Sequence, residues 1–117
     1  MIKIRTDFLL TQSCIRLSHR LDIESNSLTS KLLGLVSDDN SRLTELKKGQ
    51  VRWVVTHPDS TSNDISDYVE YVLERRKDLL KENEWGNFFK LISCEIEIDN
   101  QVFHHSMDLI SGNWKML

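Results

Sequence analysis

Glu95, Glu97 and Asp99 occupy every second position of the run Phe89-Lys90-Leu91-Ile92-Ser93-Cys94-Glu95-Ile96-Glu97-Ile98-Asp99. On an extended strand that spacing puts neighbouring carboxylates ~6.5–7 Å apart on one face. Such a separation suits the acid and base of an inverting glycosidase. That chemistry also needs a deep sugar cleft, and nothing in a two-layer domain of 117 residues suggests one. Two readings remain for the row: a solvated strand face, or a contact surface for a basic protein. No Lys or Arg lies between residues 91 and 114 to offset it. Arg52 and Arg16, read as outward residues of other strands, are the candidate counter-ions. Asp38 and Asp39 form a second acidic edge.

The histidines are His19, His57 and the adjacent pair His104-His105. Neighbours on a strand point to opposite faces, and no C-x-x-C or H-x-x-x-H spacing is present, so no metal is expected. There is no G-x-S-x-G and no glycine-rich phosphate loop. Cys14 or Cys94 could pair with His57 or His19. Both cysteines, however, fall in runs read as apolar strands, where burial raises a thiol's pKa and removes its reactivity. No catalytic residue and no cofactor are expected.

The elements that hold these residues follow from periodicity. A chain of 117 residues, 39% apolar and 28% charged, has the size and composition of one folded domain, 1–117. The even positions Ile2, Ile4, Phe8 and Leu10 predict a first strand. Ile15 and Leu17 alternate with Arg16 and Ser18, which predicts strand again over 13–19, with a bulge near Leu10-Thr11-Gln12 where the parity switches. Asn26 to Leu33 predicts a short helix ended by Gly34. Val36 to Gln50 reads as a polar connection, and Val51 to His57 as a β-branched strand carrying Trp53 and closed by Pro58.

The strongest signal is Ile65, Tyr68, Val69, Val72, Leu73, Leu79 and Leu80, an apolar helical stripe interrupted at Arg76 and wide enough to cover a sheet. Its acidic first half and basic second half match the helix dipole. The acidic-row strand follows, then a turn at Asp99-Asn100-Gln101 and a short strand at Val102-Phe103-His104. Ser106 is read as the cap of a helical turn carrying Met107, Leu109 and Ile110. The expected fold is an α+β two-layer sandwich: a largely antiparallel or mixed sheet with two amphipathic helices on one face and the acidic row on the other.

The segment from Ser13 to about Leu80 resembles a widespread bacterial domain family of unknown function. The features that carry the resemblance are Ile15-Arg16-Leu17, Asp22 through Leu28-Thr29 and Leu32-Leu33-Gly34-Leu35, Lys48-Gly49, and Val51-Arg52-Trp53-Val54. Similar small domains serve as immunity proteins of bacterial polymorphic toxin systems, including contact-dependent inhibition. The resemblance implies that role and supplies no catalytic residues.

A net charge of −3 and a pI near 5.8 give no drive toward nucleic acid. No stretch approaches a membrane span, and Met1-Ile2-Lys3-Ile4-Arg5 lacks the apolar core of a signal peptide. A cytoplasmic setting is expected, with both cysteines reduced and buried. The functional expectation is a non-enzymatic immunity protein that blocks a toxin, a nuclease, through Glu95, Glu97, Asp99, Asp38 and Asp39. An acidic inhibitor complements the basic surface that a nuclease offers to phosphate. The alternative is a small ligand-binding domain or enzyme, with Cys94, His57 or the carboxylates in a pocket between the sheet and the loops at 36–50 or 58–63.

Overall fold

A computed structural model describes residues 1–117. The chain runs β1 (Ile2–Leu10), α1 (Gln12–Leu21), α2 (Ser25–Leu33), β2 (Ser41–Lys47), β3 (Gln50–His57), α3 (Ile65–Glu82), a 3-10 turn at Gly86–Phe88, β4 (Phe89–Ile98), β5 (Gln101–Met107) and β6 (Trp114–Met116). The strands form one sheet in the order β2-β3-β1-β4-β5-β6, every pair antiparallel. All three helices pack on one face, so the fold is α+β with one covered and one open sheet face. No helix is long and apolar enough to cross a membrane.

Alternation builds the covered face. Ile2, Ile4, Thr6, Phe8 and Leu10 of the central strand β1 are all buried. Phe8 and Leu10 join Cys14, Leu28, Leu33, Val51, Phe89 and Leu91 under α1 and α2, whereas Ile2 and Ile4 join Val69, Val72, Leu73, Cys94, Ile96 and Ile98 under α3. Each large side chain so buried contributes roughly 1.5–3 kcal/mol. In β4 the inward parity switches, because Asp7 faces Ser93 whereas Phe8 faces Leu91. Ile92 is the extra residue of that bulge and is only half-buried, although simple alternation places it with Cys94.

Three segments depart from the sequence-based expectation. Residues 13–19 are helix, not strand: Thr11 caps α1 by accepting the Cys14 N–H at 3.4 Å, and Asp22 ends it in the left-handed region at φ 53°. On a helix Cys14, Ile15, Leu17 and Ser18 share one side, and a segment this short mimics alternation. Arg16 therefore stands on a helix and is no counter-ion for the strand carboxylates. The connection 36–50 contains β2, an edge strand with Leu43 as its one buried residue. Ser106 caps nothing, because β5 continues to Met107 and a turn at 108–112 leads to β6.

Candidate functional site

The open face of the sheet is a mixed field of charges, not an uninterrupted acidic row. Cross-strand register sets Lys3 against Glu97, Arg5 against Glu95 and Arg52 against Asp7. Arg5 reaches Glu95 at 3.3 Å, and His104 approaches the other oxygen of Glu95 at 3.5 Å. Arg52 forks onto Asp7 at 2.9 and 3.1 Å, and the Ser93 hydroxyl donates to the same carboxylate at 3.3 Å. The Asp7 hydrogen bond raises the pKa of Arg52 further, against its partial burial. Arg52 thus serves Asp7, and the counter-ion of Glu95 is Arg5, a residue of the first strand.

Acidity collects instead at one end of the sheet. There β1 begins, β3 and β4 finish, and the β4–β5 hairpin turns through Asp99 and Asn100, both in the left-handed region at φ 46° and 74°. Positive φ at two successive residues is the geometry of a tight two-residue hairpin, which Asp and Asn tolerate. The turn projects the Asp99 carboxylate onto the Met1 amine at 2.8 Å and the Thr61 hydroxyl. Those contacts hold its pKa below the ordinary carboxylate value. Asp38 lies beside this end through its bridge to Ser41, with exposed Asp39 next in the chain. Asp59 follows β3, and Asp64 caps α3 by accepting the Asp67 N–H at 3.1 Å. The side-chain hydrogen bond with Asp64, then its charge, raises the pKa of Asp67.

Of the five acidic residues singled out from sequence, Glu97, Asp99, Asp38 and Asp39 come together at this end. Glu95 stands one row further in, already paired. Asp59 and Asp64 join the group through the 58–64 loop, and their positions in turn and cap motifs are the only sequence signal for them.

The loops at 38–41 and 57–60 also enclose a cleft of about 420 Å³ lined by Asp38, Asn40, Ser41, His57, Asp59 and Ser60 among others. Cys94 lies elsewhere, buried on the covered face, and no group of three His, Cys, Asp or Glu residues converges to hold an ion. Both thiols are free and buried; burial pushes Cys14 up to about 11 and raises Cys94 as well.

The feature that sequence reasoning passed over is Arg76, the interruption in the α3 stripe. Its guanidinium stacks over the Trp53 ring, with Cζ 4.2 Å from the centroid, and its Nε donates to the Thr6 hydroxyl at 2.9 Å. Burial lowers its pKa. No carboxylate lies within ion-pair distance of it, whereas Arg5 and Arg52 each have one. A cleft of about 330 Å³ opens beside it, lined by Trp53, Arg75, Arg76, Leu79, Glu82 and Asn83. Two buried side-chain atoms have no hydrogen-bond partner, Asn26 Oδ1 and His105 Nδ1, and His105 lies on the covered face. Desolvation, then the neighbouring His104, lowers its pKa. It lines an apolar groove of about 500 Å³ with Ile65, Val69, Phe103 and Met116.

Comparison of the chain with protein-family models, curated proteins and solved structures returns no match.

Proposed function

We propose that this chain is an immunity protein, a cytoplasmic and non-enzymatic inhibitor that binds a cognate bacterial toxin, a nuclease, through its acidic end. The observation that carries the reading is the gathering of Asp38, Asp39, Asp59, Asp64, Glu97 and Asp99 at one end of the sheet, where Lys3 and the terminal amine are the facing cations. A nuclease must present a basic surface to phosphate, and a concentrated acidic pole steers such a partner, accelerates encounter and fixes orientation. The resemblance of residues 13–80 to a bacterial domain family of unknown function, to which small immunity proteins of toxin systems are similar, supports the same role.

A neighbouring upstream reading frame that encodes a large secreted toxin supports the reading, and the test is association with that toxin's domain. In the quadruple variant D38N/D39N/E97Q/D99N, association at low salt slows about tenfold or more, and the salt dependence of the rate flattens. Glu95→Gln has a smaller effect, because Arg5 and His104 already offset that charge. Unchanged affinity and unchanged salt dependence in the quadruple variant overturn the assignment of this end.

One observation favours a second reading, a ligand-binding domain: the cleft between the loops brings His57 beside Asp38 and Asp59. A small ligand whose binding is lost in His57→Gln while toxin association is retained favours this reading over the first.

A further inference from the structure

Arg76 is a charge in an unusual setting. Its surroundings on the protein side are the Trp53 ring, the Thr6 hydroxyl, Cys94 and Tyr68. Burial raises the pKa of the Cys94 thiol and of the Tyr68 phenol, so both are neutral at pH 7. The guanidinium is therefore half-buried without a counter-ion, and its terminal nitrogens reach solvent through the cleft. The indole face holds the charge by cation–π attraction. What remains is an arginine fork with Nε already anchored and its two terminal nitrogens given no acceptor by the protein.

Its position is also rigidly set. Thr6 belongs to the central strand and is fully buried, and Trp53 is fixed by donating Nε1–H to the Ser41 hydroxyl at 2.9 Å and by stacking on Phe8. Two groups hold the guanidinium plane, which is how a preorganised anion site is built. The cleft it lines, about 330 Å³, falls within the size range of small-molecule sites, roughly 300–1,000 Å³.

We propose that Arg76 and Trp53 form a subsite for a small organic monocarboxylate, gripped by the Arg76 fork with its apolar body against Leu79. A guanidinium matches a carboxylate in a planar, two-bond geometry and in charge. Arg75, paired with Asp78 at 3.7 Å, and Glu82 line the same cleft with opposite charges, and Trp53 and Leu79 favour an apolar body over an inorganic ion. The subsite is independent of the acidic end, and binding there does not depend on the toxin.

Benzoate is the probe, titrated into the ¹⁵N-labelled full chain while the Arg76 Nε–H and Trp53 Nε1–H resonances are followed. Saturable shifts at both are expected, with chloride and inorganic phosphate at equal ionic strength producing none that saturate. Arg76→Lys, which keeps the charge and loses the fork, weakens benzoate about tenfold or more. Arg76→Met abolishes the saturable shifts, and Glu82→Gln tightens binding by removing the competing carboxylate. Three results overturn the proposal: shifts that rise linearly and match those of chloride, phosphate saturating as well as benzoate, or affinity unchanged in Arg76→Lys. If Arg76→Met does not fold, the lysine variant and the wild-type titrations decide.

Discussion

The acidic end and the Arg76 cleft hold charge in opposite ways. At the acidic end several carboxylates sit in water, and each is cheap to keep because solvent and salt screen it. They act as a sum. At the cleft the Arg76 guanidinium lies against an indole and a buried threonine, and the charge has no carboxylate partner of its own. It acts as an individual. Removing one exposed carboxylate should change little, whereas replacing the stacked Arg76 changes what its cleft can bind.

The largest expected effect tests the frame beneath the cleft. Phe8 is fully buried, its ring centre 6.5 Å from that of Trp53 and 6.4 Å from that of Phe89. Phe8→Ala is expected to cost about 3–5 kcal/mol in urea melts and to unseat Trp53. A variant that leaves the urea midpoint unchanged breaks the picture of the cleft as a rigid shelf.

Next come the two arginines. Arg52→Met strands Asp7, whose side chain is 15% exposed, and is expected to destabilise by roughly 1 kcal/mol after allowance for the exposure of Arg52. Arg76→Met removes a half-buried charge that has no counter-ion and is expected to stay within about 1 kcal/mol of the wild type. Paired melts of the two variants decide. A larger loss for Arg76→Met than for Arg52→Met shows that the contacts of Arg76 with Trp53 and Thr6 outweigh an ion pair and ends the contrast.

Acid sharpens the other side. The folded pKa of Asp99 is depressed, so its pair with the terminal amine contributes stability that is present above the ordinary carboxylate value of 3.8 and lost as pH falls through the lower folded value. Asp99→Asn flattens that limb of the stability–pH curve and leaves the neutral-pH side unaffected in shape. His105 has the same sign at a higher pH: its folded pKa is below 6.5, so its neutral state favours folding above that value and the contribution fades as pH falls through the depressed value. A histidine ring resonance titrating above 6.5 contradicts its burial. The smallest effect belongs to exposed Asp39. Asp39→Asn by itself is expected to move stability by no more than ~0.5 kcal/mol, and a larger change in the melt argues that the acidic end is structurally coupled rather than additive.

Much of the scaffold was legible because its signals are periodic. The alternation of Ile2, Ile4, Phe8 and Leu10 and the stripe of Ile65 to Leu80 identify β1 and α3, and Gly34, at φ 66°, closes α2 where a left-handed residue is needed. Elements with little to bury were not legible. The buried residues of α1 are Cys14 and Ser18, too small to mark a helical face, and β2 buries Leu43 alone because its edge position is secured by pairing with β3. The bulge at Ile92 leaves no local trace either, since it exists only as a mismatch between two strands.

By itself the sequence determined that an α+β sheet would have one covered face and that β4 would point its carboxylates away from it. That much follows from side-chain geometry within single elements. Only the tertiary structure decided which charges meet. Register across β1 joined Arg5 to Glu95 and Arg52 to Asp7, turns and caps gathered Asp38, Asp59, Asp64 and Asp99 at one end, and packing of α3 laid Arg76 on Trp53. Coulomb energies depend on distance and local dielectric, and both are properties of the folded arrangement rather than of any one segment.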